Sequence, residues 1–272
     1  MQKIIRIGTR DSQLALWQAN KVKKELKELG YESELIPIKS LGDLVLDKPL
    51  YELGVTGVFT KSLDIAMLNK EIDIAVHSLK DVPTVLPEGI IQAAVLKRAN
   101  YTDLLVLKDT EEFFGQPNGV IATGSLRRKA QWLHRYPTHK VEDIRGNVNT
   151  RLEKLADSET WNGAIFAAAG LERLGKRDKG AIPLTWMIPA PGQGAIMITA
   201  LEEDDFVIDA CEQLNHHETK VCVGIEREFL HLLEGGCTAP IGALAYVDEK
   251  TEEINFKGVL LKRDGSKKIT VN

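Results

Sequence analysis

The chain has 272 residues, of which 43% are hydrophobic and 27% charged, which suits a soluble globular protein of two or three domains of about 100–150 residues each. Its formal net charge of −4 argues against nucleic-acid binding, and no apolar run approaches the roughly 20 residues that a membrane span requires. The amino-terminal residues open directly into a strand pattern without the apolar segment of a signal peptide, so we expect a cytoplasmic protein.

Strand-like and helix-like segments alternate along the first hundred residues. Apolar runs predict strands over 3–8, 32–39 and 72–76, and helical spacing of apolar residues predicts helices over 13–29 and 59–69. Asp11 and Ser12 are suitable N-cap residues for the first of these helices, and Gly30 ends it. The alternation predicts a parallel sheet with covering helices.

The same rhythm restarts near residue 101. Strands are predicted over 103–107, 119–122 and 163–169, and helices over 125–135 and 147–156. In both halves a strand, a threonine and an N-capping serine lead into a helix, at Ser12 and at Ser125. Each helix start offers free backbone N–H groups to an anion. We therefore expect two similar α/β domains that face a shared cleft.

A break rich in proline and glycine at residues 189–194 predicts a crossover or hinge. Beyond it lie a predicted strand at 195–201, helices at 205–214 and 218–233, and a small antiparallel sheet over 241–271. His216 and His217 are adjacent and do not share a helix face, so we interpret them as a helix start and predict no metal site. The predicted domains are residues 1–98 with 194–215, residues 101–190, and residues 218–272.

An apolar run over 72–76 stops abruptly at His77-Ser78-Leu79-Lys80-Asp81-Val82-Pro83. In an α/β fold, ligands bind in the crevice at the carboxyl ends of parallel strands. Lys80 could neutralise an anion, and Asp81 could hold a cation or move a proton. On this stretch alone, a solvated salt pair accounts for the two charges equally well.

A basic zone lies between residues 123 and 151, where seven lysines and arginines stand against Glu142 and Asp143. Arg127 and Arg128 are adjacent on a predicted helix and so point about 100° apart, which would let them hold two different carboxylates. The zone lacks the interleaved aromatic residues of a nucleic-acid platform. It predicts a small polyanionic ligand, with a solvated basic face as the alternative.

The three cysteines form no C-x-x-C pair, which predicts neither a disulfide framework nor a zinc site. Cys211 and Cys222 fall within helical patterns and are expected in the core. Cys237 follows Glu234-Gly235-Gly236 on a predicted loop, where exposure would permit covalent chemistry. A cysteine that is only incidentally in a loop is the alternative.

Together these segments resemble the porphobilinogen deaminase family, whose members are also called hydroxymethylbilane synthases. The matching pieces occur in the family's order along nearly the whole chain: Thr9-Arg10-Asp11-Ser12-Gln13-Leu14-Ala15, His77-Ser78-Leu79-Lys80-Asp81-Val82-Pro83, Gly124-Ser125-Leu126-Arg127-Arg128, Arg145-Gly146-Asn147-Val148-Asn149-Thr150-Arg151-Leu152, Gly192-Gln193-Gly194-Ala195 and Leu233-Glu234-Gly235-Gly236-Cys237.

The resemblance implies two α/β domains like the lobes of a periplasmic binding protein around a cleft, with a small α+β third domain. It implies a transferase that condenses four porphobilinogens, with loss of ammonia, into a linear hydroxymethylbilane. A dipyrromethane primer would be joined to Cys237 by a thioether. By position, Asp81 would be the catalytic carboxylate. The cofactor would be bound by Lys80, Asp81, Ser125, Arg127 and Arg128. Carboxylates of the substrate would be bound by Arg10, Ser12, Arg145, Arg151 and Arg173.

The chain departs from the family pattern in two places. Glu52 and Thr56 stand in the expected cover loop where lysines are usual, although Lys61 could compensate. The sequence stops at Asn272, where the family usually has a further helix, so we expect either a truncated or a minimal third domain with an exposed apolar patch.

The resemblance also implies a monomer that acts on the small molecule porphobilinogen, and the charge and apolar patterns already argue against nucleic-acid and membrane partners. The alternative is a non-catalytic two-lobed protein that binds a carboxylated ligand, with Cys237 incidental. Simple binding needs neither Asp81 nor a tethering thiol, which favours the enzyme.

Overall fold

The computed structural model describes residues 3–39, 59–108, 110–233 and 239–272, and its described strands form three sheets. The first part of the chain contains β1 (Ile5–Arg10), α1 (Gln13–Glu28), β2 (Ser33–Ile38), α2 (Lys61–Leu68), β3 (Ile74–Ser78) and β4 (Ile90–Val95). The second part contains β5 (Asp103–Leu107), β6 (Val120–Ala122), α3 (Leu126–Arg135), β7 (Lys140–Glu142), α4 (Val148–Asp157), β8 (Gly163–Ala167), α5 (Ala168–Arg173) and β9 (Ile182–Pro183). The last part contains β10 (Ile196–Leu201), α6 (Asp205–Glu212), α7 (His217–Leu232), β11 (Ile241–Val247), β12 (Ile254–Leu261) and β13 (Lys268–Val271).

The first sheet has the strand order β2-β1-β3-β10-β4. Strands β1, β2 and β3 are parallel as predicted, but β10 pairs antiparallel with both β3 and β4. The prediction of a parallel sheet is therefore wrong at β10, which runs opposite to the other four strands. The reason is that β10 enters from the other half of the molecule, so that its first residue, Ile196, lies beside Ser78 at the end of β3.

The second sheet has the order β7-β6-β8-β5-β9, with parallel pairing around β6 and antiparallel pairing at β5. The two sheets thus share one pattern, and the predicted pair of similar α/β units is confirmed. The strand predicted over 163–169 stops at Ala167, and α5 begins at Ala168. Three successive alanines at 167–169 favour the helix, because alanine has the highest helix propensity.

Two crossover segments, residues 96–102 and 184–195, connect the sheets, and the second contains the predicted break at 189–194. The N–H of Ala99 donates to the carbonyl of Gly194 (3.1 Å), and Arg98 Nε donates to the carbonyl of Gln193 (2.9 Å). Gly194 has φ +89°, and a Cβ there would lie 2.6 Å from the Ala99 oxygen. Only glycine therefore lets the two segments approach this closely.

The third sheet, β11-β12-β13, is antiparallel as predicted, and α7 packs against it through the edge-to-face pair Phe229 and Phe256. Val259 on β12 packs with Ala130 of α3, which joins this sheet to the second half. Ile269 and Val271 on β13 are exposed. Within the described residues, no helix combines the length and apolar character needed to cross a membrane.

Candidate active site

A pocket lies between the two α/β halves, at the carboxyl ends of β3 and β8, as expected for this class of fold. Lys80 reaches it from the first half, and Arg128, Arg151 and Arg173 reach it from the second. No acidic side chain of the described residues lines the pocket. The remaining lining residues are Leu14, Ser78, Val148, Phe166, Ala167, Ala169, Gly170, Gly194 and Ala195.

A single 3-10 turn, Leu79–Asp81, presents Lys80 and Asp81 directly after β3. Leu79 is fully buried, and its N–H donates to the carbonyl of Ala195 (3.1 Å). The N–H of Val82 donates back to the carbonyl of Leu79 (3.1 Å), which closes the turn. Because both ends of the turn are anchored, the two charged residues have a defined backbone position at the edge of the cleft.

The ammonium of Lys80 is held close to the crossover, with Nζ 3.5 Å from Oε1 of Gln193. Burial and the nearby Arg128 lower the pKa of Lys80 to about 8, although Asp81 and Asp103 partly oppose this. A lysine in this setting gains from a bound anion, because an opposite charge would offset the cost of its burial.

The carboxylate of Asp103, fully buried at the start of β5, is the counter-ion of both adjacent arginines. Its Oδ2 accepts from Arg127 Nη1 (2.7 Å), and its Oδ1 accepts from Arg128 Nε (3.0 Å) and Nη2 (2.8 Å). Although burial alone would raise the pKa of Asp103, the two guanidiniums hold it well below its usual range. The two guanidiniums therefore converge on one protein carboxylate instead of diverging, and the binding of ligand carboxylates by these arginines stays a prediction.

The two arginines differ in their remaining contacts. Arg127 Nη1 also donates to the carbonyl of Ile188 on the crossover (2.7 Å), and Arg127 does not line the pocket. Arg128 Nη1 donates to the carbonyl of Ile165 (2.9 Å), yet its side chain borders the pocket. Arg128 is thus the member of the pair that is placed to meet a ligand.

Sequence reasoning missed Asp103 and Gln193 as site residues. Gln193 is buried on the crossover, and its Nε2 donates to Oδ1 of Asp103 (2.9 Å) and to the carbonyl of Tyr101 (2.7 Å). Together with its contact to Lys80, this amide joins groups of both halves. The available signals were an acidic residue that opens a buried apolar strand and an amide flanked by two glycines.

Arg151 and Arg173 complete the cationic wall of the pocket. Arg151 Nε donates to the carbonyl of Gly146 (2.8 Å), and burial together with Arg128 and Arg145 lowers the pKa of Arg151 to about 10. Arg173 Nη2 donates to the carbonyl of Gly194 (2.7 Å), and burial lowers its pKa to about 10. Such crowding of like charges suits a ligand that carries several carboxylates.

Three helix starts meet at the pocket, since Leu14, Arg128 and Val148 lie in the first turns of α1, α3 and α4. As predicted, Ser12 and Ser125 are N-cap residues, and their hydroxyls accept from the N–H groups of Ala15 and Arg128 (both 3.4 Å). The third start, capped by Asn147, begins the helix predicted over 147–156, but it was not predicted from the sequence as an anion site. Helix N-termini add positive potential for an anion.

Several predicted residues lie outside this pocket. Arg10 lies at the end of β1 with its guanidinium carbon 4.3 Å from the centre of the Phe59 ring. Arg145 precedes α4, and Asp81 lies beside Lys80 on the turn, but neither lines the pocket. Cys237 and the cover-loop residues Glu52 and Thr56 lie outside the described residues, while Lys61 is exposed at the start of α2.

The described histidines supply no metal cluster, since no group of three His, Cys, Asp or Glu side chains in the described residues could hold an ion. Burial, with a smaller effect from Arg10, lowers the pKa of His77 to about 4, so this ring is neutral near pH 7. Its Nε2 lies 3.3 Å from Oγ1 of Thr199. His216 caps α7 as predicted, with Nδ1 accepting from the N–H of Thr219 (3.2 Å).

Comparisons with known proteins cover nearly the whole chain. Residues 5–209 match the family described as porphobilinogen deaminase, dipyromethane cofactor binding domain, and residues 220–272 match the C-terminal domain of porphobilinogen deaminase. The porphobilinogen deaminase of Desulforamulus reducens is 45% identical over 99% of this chain and 88% of its own length. The probable porphobilinogen deaminase of Methanocaldococcus jannaschii is also 45% identical, over 96% of this chain and 89% of its own length.

A chloroplastic porphobilinogen deaminase of Oryza sativa subsp. japonica is 44% identical over 97% of this chain and 75% of its own length. Among solved structures, a periplasmic substrate-binding protein of an ABC transporter from Coxiella burnetii aligns with 82% of this chain and 98% of its own, at 11% identity and a TM-score of 0.49. The last similarity is too low to bear on function.

Proposed function

Because the chain belongs to the porphobilinogen deaminase family, we propose that it condenses four porphobilinogen molecules, with release of ammonia, into the linear tetrapyrrole hydroxymethylbilane. The observation that carries this proposal is the pocket with four cationic and no acidic side chains among the described residues. Each pyrrole of the product bears an acetate and a propionate, so the growing chain is a polyanion. A non-catalytic binding protein is not favoured, because the family is one of enzymes.

The dipyrromethane group after which the matched domain is named supplies the pyrrole to which the first substrate is joined. The donor set fits such a group, since Lys80 and Arg128 border the pocket and can neutralise carboxylates. We assign its carboxylates to these two residues with Ser125, and its covalent attachment to Cys237. Arg127, which was also predicted to bind the cofactor, does not line the pocket. In this assignment its role is indirect: it binds Asp103, the carboxylate that orients Arg128.

Asp81 is the proposed catalytic carboxylate. Loss of ammonia from porphobilinogen leaves an electron-poor carbon, and attack by a pyrrole leaves positive charge that must be stabilised. A fixed carboxylate near the pyrrole N–H groups can stabilise this charge and accept or return protons. The anchored turn supports this role because it limits the positions that the Asp81 side chain can reach.

Substrate carboxylates are assigned to Arg151 and Arg173 within the pocket and to Arg10, Ser12 and Arg145 near it. The three predicted domain ranges, 1–98 with 194–215, 101–190 and 218–272, remain part of the proposal, as do a monomeric state and a cytoplasmic location.

The test combines intact mass with activity. We expect the purified protein to carry an adduct the size of two pyrrole units, which Cys237→Ser lacks, and to release ammonia from porphobilinogen. An unmodified protein that still turns over substrate would exclude the tethered primer. A protein that binds porphobilinogen without releasing ammonia would instead favour the binding-protein alternative.

A further inference from the structure

Helix α7 leads toward the segment that contains Cys237, and its residue Glu226 binds the crossover between the α/β halves. Glu226 is fully buried, and its Oε2 accepts from the N–H of Gly192 (2.7 Å) while its Oε1 accepts from that of Ala245 (2.8 Å). Arg98 binds both oxygens of the same carboxylate. This part of α7 therefore has a fixed position relative to the first sheet.

The next residue, Arg227, binds the backbone that directly follows the turn containing Asp81. Its Nη1 donates to the carbonyl of Val82 (3.1 Å), and its Nη2 donates to the carbonyls of Pro83 (2.6 Å) and Thr84 (3.3 Å). A guanidinium is a planar fork with fixed donor directions, so three consecutive carbonyls must converge to meet it. Lysine offers a single ammonium and cannot reproduce this geometry.

Through these contacts, a residue of α7 holds the backbone that follows the turn in the first α/β half. On the entry side, β3 and the bond from Leu79 to Ala195 hold the backbone. On the exit side, residues 82–84 belong to no strand or helix, and Arg227 binds all three of their carbonyls. The backbone conformation after Asp81 thus depends on Arg227, which belongs to the helix that precedes Cys237.

We infer that Arg227 is a positioning residue for Asp81. By holding residues 82–84, Arg227 keeps the Asp81 carboxylate in a constant position relative to the cofactor that is proposed to be attached to Cys237. The inference rests on the proposed catalytic role of Asp81. It gives the third domain a part in catalysis besides carrying the cysteine, because movement of α7 would move the turn with it.

The test compares Arg227→Lys and Arg227→Gln with Arg6→Lys. Arg6 is a suitable control because, like Arg227, it donates to a backbone carbonyl, that of Lys70. It also binds the Asp73 carboxylate, but it lies near the start of β1, away from the pocket. We expect kcat to fall about tenfold or more in both Arg227 variants, with KM for porphobilinogen within about twofold and the adduct mass retained. Arg6→Lys should keep the wild-type kcat per folded molecule, whatever its Tm.

A double-mutant cycle with Asp81→Glu separates positioning from stability. If Arg227 acts through Asp81, the loss of kcat caused by Arg227→Lys should be clearly smaller in the Asp81→Glu background. A wild-type kcat in both Arg227 variants, or fully additive losses that parallel the loss of folded protein, would overturn the inference. Where Arg227→Lys does not fold, the same cycle is read with Arg227→Gln. A missing adduct in the wild-type protein, or full activity of Asp81→Ala, would instead refute the proposed function.

Discussion

The guanidinium of Arg128 donates two hydrogen bonds to a single oxygen of Asp103, and Arg127 occupies the other oxygen of the same carboxylate. One buried anion thus holds two buried cations, and only Arg128 of the two borders the pocket. A ligand carboxylate that meets Arg128 therefore meets a guanidinium whose orientation is already set. This preorganisation lowers the entropic cost of binding the ligand.

Asp103→Asn should destabilise the protein strongly, by about 3–5 kcal/mol, because it leaves two buried guanidiniums without their counter-charge. The pKa of Asp103 is lowered in the folded state, so its stabilising effect is present above the unfolded pKa of about 3.9 and is lost as pH falls further. Urea unfolding at several pH values checks this. The difference between variant and wild type should be constant from about pH 5 upward and shrink below about pH 4.

Asp81→Ala should abolish nearly all turnover, by a factor of about 10²–10⁴ as for other lost acid–base groups, while the protein still folds. The side chain is only partly buried, so its removal leaves little buried surface unpaired. Ammonia release and circular dichroism melting measure the two effects. Asp157→Ala, on the exposed end of α4, is the matched control and should behave as wild type. Normal turnover by Asp81→Ala would remove Asp81 from the mechanism.

The pH dependence of kcat/KM should show a falling limb near pH 8, where Lys80 loses the proton with which it attracts carboxylates. Lys80→Arg should move that limb to higher pH, because arginine stays charged, and measurement of both enzymes with the same substrate cancels the titration of porphobilinogen itself. Deprotonation of Lys80 should have the opposite effect on stability, which it should increase while it lowers kcat/KM. Since the folded pKa is lowered from about 10.4, deprotonation of Lys80 should raise the free energy of unfolding between about pH 8 and pH 10. An unchanged limb in Lys80→Arg would contradict the assignment.

Gly194→Ala should destabilise the contact between the two crossovers by at least about 1–3 kcal/mol, because its φ of +89° is strained for alanine and a Cβ would lie 2.6 Å from a backbone oxygen. Gly224→Ala is the opposite control. A Cβ at Gly224, on the exposed face of α7, meets nothing within 4 Å, so this change should stabilise the helix by up to about 1 kcal/mol. Thermal unfolding of the two variants should therefore shift Tm in opposite directions.

The sequence by itself determined those features that depend on neighbouring residues. Alternating apolar runs predicted most strands and helices, and Ser12 and Ser125 marked helix starts that the structure confirms. Lys80 was predicted at the end of a strand beside a ligand crevice, and it borders the pocket. Such signals are local, since caps and periodicity act within a few residues of one another.

Tertiary structure alone decided what joins distant parts of the chain. Three contacts show this. Strand β10 pairs antiparallel with β3, Arg127 and Arg128 both bind Asp103, and Arg227 binds the carbonyls of residues 82–84. Adjacent arginines were expected to diverge because helix geometry separates their directions. Burial reversed this outcome, because two desolvated guanidiniums require a shared anion, and the fold places a single aspartate between them.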